Sequence, residues 1–210
     1  MNSPRYAPAG LLVESEGHRV MIDGGPGAEP KGRFDAWLVT DEHGELIRQI
    51  RKLARARNLN TGAATYFSAN LLIQPQPVVH TSHVTYGYAI DVRGKKIVWA
   101  PEFIEFPGWA DGADLMFAEA AGWNRPIHFR GRVGGHACAI AVAEEAQGRG
   151  IKRLVFAHIG RPTIKASDAG KRPSFGVFGE DGDTYMINKT IRSLRKNRSA
   201  LRQHAPLPKQ

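Results

Sequence analysis

Residues 36–46 read Ala36-Trp37-Leu38-Val39-Thr40-Asp41-Glu42-His43-Gly44-Glu45-Leu46. The first four are apolar, as a buried strand requires, and the residues after them are dense in side chains able to hold a metal ion. Beyond the loop, Leu46, Ile47, Ile50, Leu53 and Ala54 fall on one helical stripe, with Arg48, Arg51, Lys52 and Arg55 on the other side. A strand, a loop of carboxylates with one imidazole, and an amphipathic helix therefore run in series. Asp41 and Glu42 also suit the start of a helix beginning near Gly44, where acidic side chains meet the positive end of its dipole.

The flanking segments extend this pattern. Gly10 to Glu14 and Arg19 to Asp23 are short apolar runs around a Glu-Gly-His turn, which predicts a hairpin, and Gly24-Gly25-Pro26-Gly27 then breaks the second strand. Val78-Val79-His80, Tyr86 to Val92 and Lys96 to Ala100 read as further strands. Alanine-rich Ala137 to Gln147 reads as a helix stopped by Gly148-Arg149-Gly150, and Ile151 to Ala157 as a buried strand. Pro162 to Pro173, rich in Gly, Ser, Lys and Pro, reads as a loop. Early strand pairs and later strand-helix alternation predict an α/β fold with two sheets covered by helices.

At 210 residues and 42% hydrophobic composition the chain can bury one sizeable core. No apolar run reaches the roughly 18 residues of a membrane span, and Met1 to Gly10 lacks the pattern of a secretory signal, so a cytoplasmic protein is expected. Cys138 is the sole cysteine, which excludes an intrachain disulfide and a thiolate cluster. Any metal must be held by His, Asp and Glu. The formal charge is +9, but Lys189 to Gln210 carries seven Lys or Arg and no acid, leaving +2 for the rest. Ile187, Ile191 and Leu194 recur at helical spacing, so the expected organisation is a domain over 1–186 and a basic helix and tail over 187–210. That tail offers a contact to nucleic acid, or simply a solvated cationic face.

The loop Thr40 to Leu46 resembles the metal-binding loop of the metallo-β-lactamase-fold hydrolases, a strand ending in Thr-His-x-His-x-Asp-His. Here His43 keeps the second histidine, Asp41 stands at the first, Glu45 at the aspartate and Leu46 at the last histidine. Other regions along the chain resemble the same superfamily, nearest its ribonuclease Z and cyclic phosphodiesterase branch. Asp23-Gly24-Gly25 resembles the early Asp-x-Gly turn that braces the loop. His80 and His83 both precede Gly87-Tyr88, either of them at the place of a metal-binding histidine. Glu102, after Trp99-Ala100-Pro101, takes the place of a bridging aspartate, and Ala113-Asp114-Leu115 to Ala118-Glu119-Ala120 resembles the strand that follows. Gly135-His136 and Ala157-His158-Ile159 resemble a helix-initial histidine and a strand-end metal histidine. No Leu-Gly-Thr-Gly turn of the family's first strand precedes the Leu11 hairpin.

The resemblance implies an αββα sandwich of two mixed sheets with helices on the outer faces. It implies metal ligands among Asp41, His43, Glu45, His80, His83, Glu102 and His158, with His136 and Glu45 in catalytic roles and His136 donating a proton to the leaving group. One or two divalent ions (Zn, Mn or Fe) would be held, the raised carboxylate count favouring harder ions. The implied activity is hydrolysis of a phosphodiester or related ester in an anionic, nucleotide-like small molecule. A catalytically lapsed member, kept as a binding or scaffold module, is the alternative, since Leu46 cannot coordinate. Asp114 is expected to be structural, and His18, His128 and His204 to lie on the surface.

Overall fold

The computed structural model describes residues 5–187 and 191–194. The expected hairpin forms from β1 (Gly10–Ser15) and β2 (His18–Asp23), with Gly10 opposite Asp23 and Ser15 opposite His18. Glu16 and Gly17 close it, both at positive φ, the geometry that matches the strands' right-handed twist. β3 (Ala36–Leu38) lies parallel to β2, and β4 (Thr61–Gly62) lies parallel to β3, giving a four-stranded sheet. Helix α1 (Ile47–Arg55) covers its outer face, burying Ile47, Ile50 and Ala54 against Met21, Phe34, Trp37 and Val39.

The second sheet begins as a meander of β5 (Tyr66–Ser68), β6 (Leu71–Val78), β7 (Thr85–Val92) and β8 (Lys95–Ala100). β9 (Leu115–Ala120) then joins parallel to β8. A small ribbon of β10 (Ile127–His128) and β11 (Gly135–His136) leads into α2 (Ala139–Gly148). β12 (Leu154–Ile159) returns parallel to β9, and α3 (Arg161–Asp168) connects to β13 (Val177–Phe178) at the sheet's edge. The order is β13-β12-β9-β8-β7-β6-β5.

Three apolar layers join these elements. Val20, Ile22 and Leu38 meet Leu71, Tyr88, Trp99 and Phe117 between the two sheets. Val98, Met116, Ala118 and Phe156 pack on the other face against Val142, Ala143 and Ala146 of α2 and Ile164 of α3. With α1 on the first sheet, this is the αββα sandwich.

Three local expectations give way. The strand expected at Val78 to His80 ends at Val78 and extends upstream through Pro75 and Pro77. Those prolines sit where β5 no longer pairs, so no ladder partner misses their N–H groups. Pro162 to Pro173 is not wholly a loop, because α3 occupies most of it. Pro162 lies in its first turn, where a missing N–H costs nothing, and Thr163, Ile164 and Ala166 are buried. Finally, β14 (Thr184–Ile187) pairs antiparallel with β15 (Ile191–Leu194), with Ile187 opposite Ile191. The expected helix is a strand there, since an i, i+4 apolar spacing fits a tight hairpin as well as a helical turn. The remaining basic tail with His204 lies outside the described residues.

Candidate metal centre

Asp23 fixes the opening loop. It ends β2 at a φ of 54°, and its carboxylate accepts hydrogen bonds from Thr40 N (2.7 Å), Thr40 Oγ1 (3.0 Å) and Trp99 Nε1 (2.8 Å). Tyr86 N donates to the Thr40 carbonyl at 2.9 Å and Tyr88 Oη to the Val39 carbonyl at 3.0 Å, so the end of β3 is tied to the second sheet. Burial pushes the Asp23 carboxyl up to about 6, while the bonds from Trp99 and Thr40 hold it back. The brace read from the sequence is thus this side chain as well as the turn.

Downstream, the loop's donors serve one another. Asp41 Oδ1 accepts from His43 N at 2.7 Å and pairs with His83 Nε2 at 2.9 Å, and the His43 and His83 rings lie 4.9 Å apart. His43 and His83 are exposed. Glu42 Oε1 accepts from Ala63 N at 2.9 Å. Neither acid caps α1, whose N-cap is Leu46, without a side-chain cap bond. Glu45 is exposed and within electrostatic range of His136 and His158. Leu46 packs beside the α1 core.

A second group gathers buried His80, Glu119 and His136 with half-buried Glu102 and His158. His80 Nδ1 is bonded to the Gly135 carbonyl at 2.9 Å, and its Nε2 lies 3.5 Å from Glu102 Oε2. Gly135 N donates back to the His80 carbonyl at 2.8 Å. That approach requires glycine, because a Cβ at Gly134 would collide with the His80 carbonyl oxygen. The other Glu102 oxygen lies 3.6 Å from His158 Nε2. The carboxylate therefore stands between two imidazoles.

Glu119 anchors the group from beneath. It is fully buried, accepts from His136 Nδ1 at 2.7 Å and His158 Nδ1 at 2.9 Å, and also takes Ala121 N at 2.8 Å and Phe103 N at 3.4 Å. A bulge between Phe156 and His158 shifts the β12 register, so that His158 faces Glu119. Burial alone would raise the Glu119 carboxyl, but the His158 charge and the two imidazole bonds hold it below the usual range. Burial alone would lower His158, yet the Glu119 charge and hydrogen bond, with Glu102 beyond, raise it to about 9. Ligand atoms of His80, Glu102 and His136 lie within 4.8 Å of one another, as do those of Glu119, His136 and His158.

Of the residues singled out by sequence, the structure brings His80, Glu102, His136 and His158 together. Asp41, His43 and His83 bond among themselves, with Asp41 half-buried and both imidazoles exposed, and no cluster of three ligand atoms at that spacing includes them among the described residues. Glu119 was given no role from the sequence. Its signal was a single glutamate in the otherwise apolar run Leu115 to Ala120, where an ionisable side chain must find buried partners. Asp114 is structural as expected, accepting from Lys96 N and pairing with Lys152 and Lys95. His128 is exposed, whereas His18 is half-buried and bonded to Tyr66 Oη at 2.7 Å.

No family model and no curated protein matches the chain. Solved structures do. The chain is similar to the metallo-β-lactamase-fold protein YhfI from Bacillus subtilis, with 14% identity, a TM-score of 0.65, and 91% of this chain and 93% of that one covered. It is similar to a diphosphatase from the PhnP family, with 16% identity, a TM-score of 0.60, and 81% and 80% covered. The short form of human tRNase Z gives 14% identity, a TM-score of 0.57, and 85% and 92% covered. The chain therefore has the metallo-β-lactamase fold. Within that class it carries an opening loop, Thr40 to Leu46, whose Asp41 bonds to His43 N and to the His83 imidazole, and a cluster of histidines and glutamates at Glu102 and Glu119.

Proposed function

We propose that the chain is a metal-dependent hydrolase of a phosphodiester or related ester in an anionic, nucleotide-like small molecule. The observation that carries this reading is Glu102 set between His80 Nε2 and His158 Nε2, with Glu119 holding the far side of His158. The donor set fits a divalent ion. An imidazole whose Nδ1–H is bonded to a carbonyl or carboxylate presents a lone pair at Nε2, and such tethering orients and strengthens a metal ligand. His80, Glu102 and His158 would hold the ion, which supplies Lewis acidity and a water ionising near neutral pH.

The chain's own groups then have separable tasks. Glu119 fixes the tautomer of His158, and Asp23 fixes the end of β3 from which the Asp41 loop departs. Arg161, exposed at the start of α3 just after His158, offers a cation to the substrate's anionic group. The diphosphatase and tRNase Z likenesses support a phosphorus ester by fold analogy only. A second reading, a binding module without catalysis, is favoured by one feature: Leu46 cannot coordinate, and Asp41 is already paired with His83.

Protein purified without chelator is expected to contain a divalent metal and to hydrolyse bis(p-nitrophenyl) phosphate, with the activity lost in His158→Ala. Bound metal with no hydrolysis across a panel of phosphate diesters would favour the binding module. Full activity in His158→Ala would refute the site.

A further inference from the structure

We propose that the chain binds a small organic cation, an arylalkyl ammonium, in a cavity between the two sheets that is separate from the metal centre. The proposal goes beyond the hydrolase reading and stands without it. The cavity measures about 280 Å³, near the lower end of the roughly 300–1,000 Å³ usual for ligand pockets. It lies where β1, the edge strand of the first sheet, faces β9 and β12 of the second. The turn of residues 179–183, exposed at 180–182, runs along its rim. None of His80, Glu102, Glu119, His136 and His158 lines it.

Its walls are aromatic. Trp99, Phe117 and Tyr185 stand in a row, with centroids 5.8 and 5.2 Å apart, and Leu11 and Val155 add aliphatic surface. Trp99, Phe117 and Val155 are buried, whereas Tyr6 and Tyr185 are half-buried lining residues. A ring face carries negative potential that attracts a cation, and Tyr185 already holds one, the Arg153 guanidinium 5.1 Å from its centroid.

The charge of the lining has one sign. Glu180, Asp181 and Asp183 bring three carboxylates, and no lysine or arginine is among the lining residues. Asp181 Oδ2 accepts from Ala7 N at 2.9 Å and Asp183 Oδ2 from Glu180 N at 3.3 Å, so backbone groups set their positions. Carboxylates on a turn would by themselves be a solvated edge; here they border an enclosed space walled by rings. A metal ion would leave the rings without a partner, an anion would face three carboxylates, and a neutral hydrocarbon would leave the acids unused. An ammonium head on an aromatic body satisfies both parts of the lining. Two lining residues connect the cavity to the metal centre: Trp99, whose Nε1 donates to Asp23 at 2.8 Å, and Ala157, next to His158 in β12. Occupancy is therefore expected to be felt at the brace of the opening loop, as an effector site requires.

Titration of the full chain, purified without chelator, with 2-phenylethylammonium tests this, with 2-phenylethanol as the uncharged counterpart. Calorimetry is expected to give one site per chain and binding of the alcohol weaker by at least about 10-fold. In ¹H–¹⁵N spectra the ammonium should shift residues 179–183 and the Trp99 indole N–H. Asp181→Asn combined with Asp183→Asn keeps an acceptor oxygen for Ala7 N and Glu180 N. That variant should weaken the ammonium by at least about 10-fold and leave the alcohol unchanged. Ala28→Trp, which fills the cavity from the turn after β2, should abolish ammonium binding. No binding by wild type, or equal affinity for ammonium and alcohol, would overturn the proposal. So would shifts confined to His80, His136 and His158, which would place the amine on the metal centre. Wild-type ammonium affinity in the double variant or in Ala28→Trp would overturn it too. If either variant does not fold, the wild-type comparison and the map of shifts decide.

Discussion

Replacing Glu119 with glutamine isolates the pillar of the site. The carboxylate accepts from two imidazoles and two backbone N–H groups with no exposure. Glutamine keeps one acceptor oxygen and turns an NH₂ toward the second imidazole, so one histidine loses its partner. In the metal-free protein the size of the effect follows from His158, raised from 6.5 to about 9 chiefly by Glu119 against the cost of burial. At about 1.4 kcal/mol per unit this is worth about 3 kcal/mol. The downward shift of Glu119 describes the same interaction and is not added. Because the folded-state value lies above the unfolded one, the stabilisation is complete below 6.5 and fades as pH rises through about 9. Urea unfolding of metal-free protein is therefore expected to show Glu119→Gln weaker by about 3 kcal/mol near pH 6. The gap should narrow to about 1 kcal/mol, the worth of an ordinary hydrogen bond, above about pH 9.5. The same variant should bind zinc about 10- to 100-fold more weakly. A stability gap that does not change with pH would refute the ion-pair account, and wild-type zinc affinity would refute the orienting role.

Asp23, raised to about 6 by burial, binds more protons folded than unfolded between about pH 4 and 6. Metal-free wild type should lose stability as pH rises through that window, and Asp23→Asn should flatten the slope; an unchanged slope in the variant would place its origin elsewhere. Gly134→Ala, which drives a Cβ into the His80 carbonyl, should cost about 1–3 kcal/mol in thermal unfolding and weaken zinc binding. Unaltered zinc affinity would separate that loop from the site. Tyr88→Phe leaves the Val39 carbonyl without its buried donor and should cost about 1–2 kcal/mol in urea, with a cost near zero showing that water replaces the hydroxyl.

The sandwich was legible because its signals are local and strong. The β1 and β2 hairpin, the α1 stripe and the alanine-rich α2 each bury one face, and burial is what periodicity reports. Where a signal is shared by two structures, reading failed. Ile187 and Ile191 fit a helical turn or a hairpin, and the chain there forms the hairpin. Pro75 and Pro77 argue against a strand until it is known that β5 has ended.

The site was legible in its residue types and not in their partners. His80 and His83 stand three residues apart, and nothing in their spacing tells that one turns inward to Gly135 and Glu102 while the other turns outward to Asp41. Contacts across 55 and 42 positions of chain decide it. The same holds for Glu119, an isolated acid in an apolar strand whose meaning appears only when β11 and β12 bring His136 and His158 onto its two oxygens. The loop that looks most altered, Thr40 to Leu46, lies outside both groups of three candidate ligand atoms among the described residues, His80 with Glu102 and His136 and Glu119 with His136 and His158, so those groups assemble without its substituted positions.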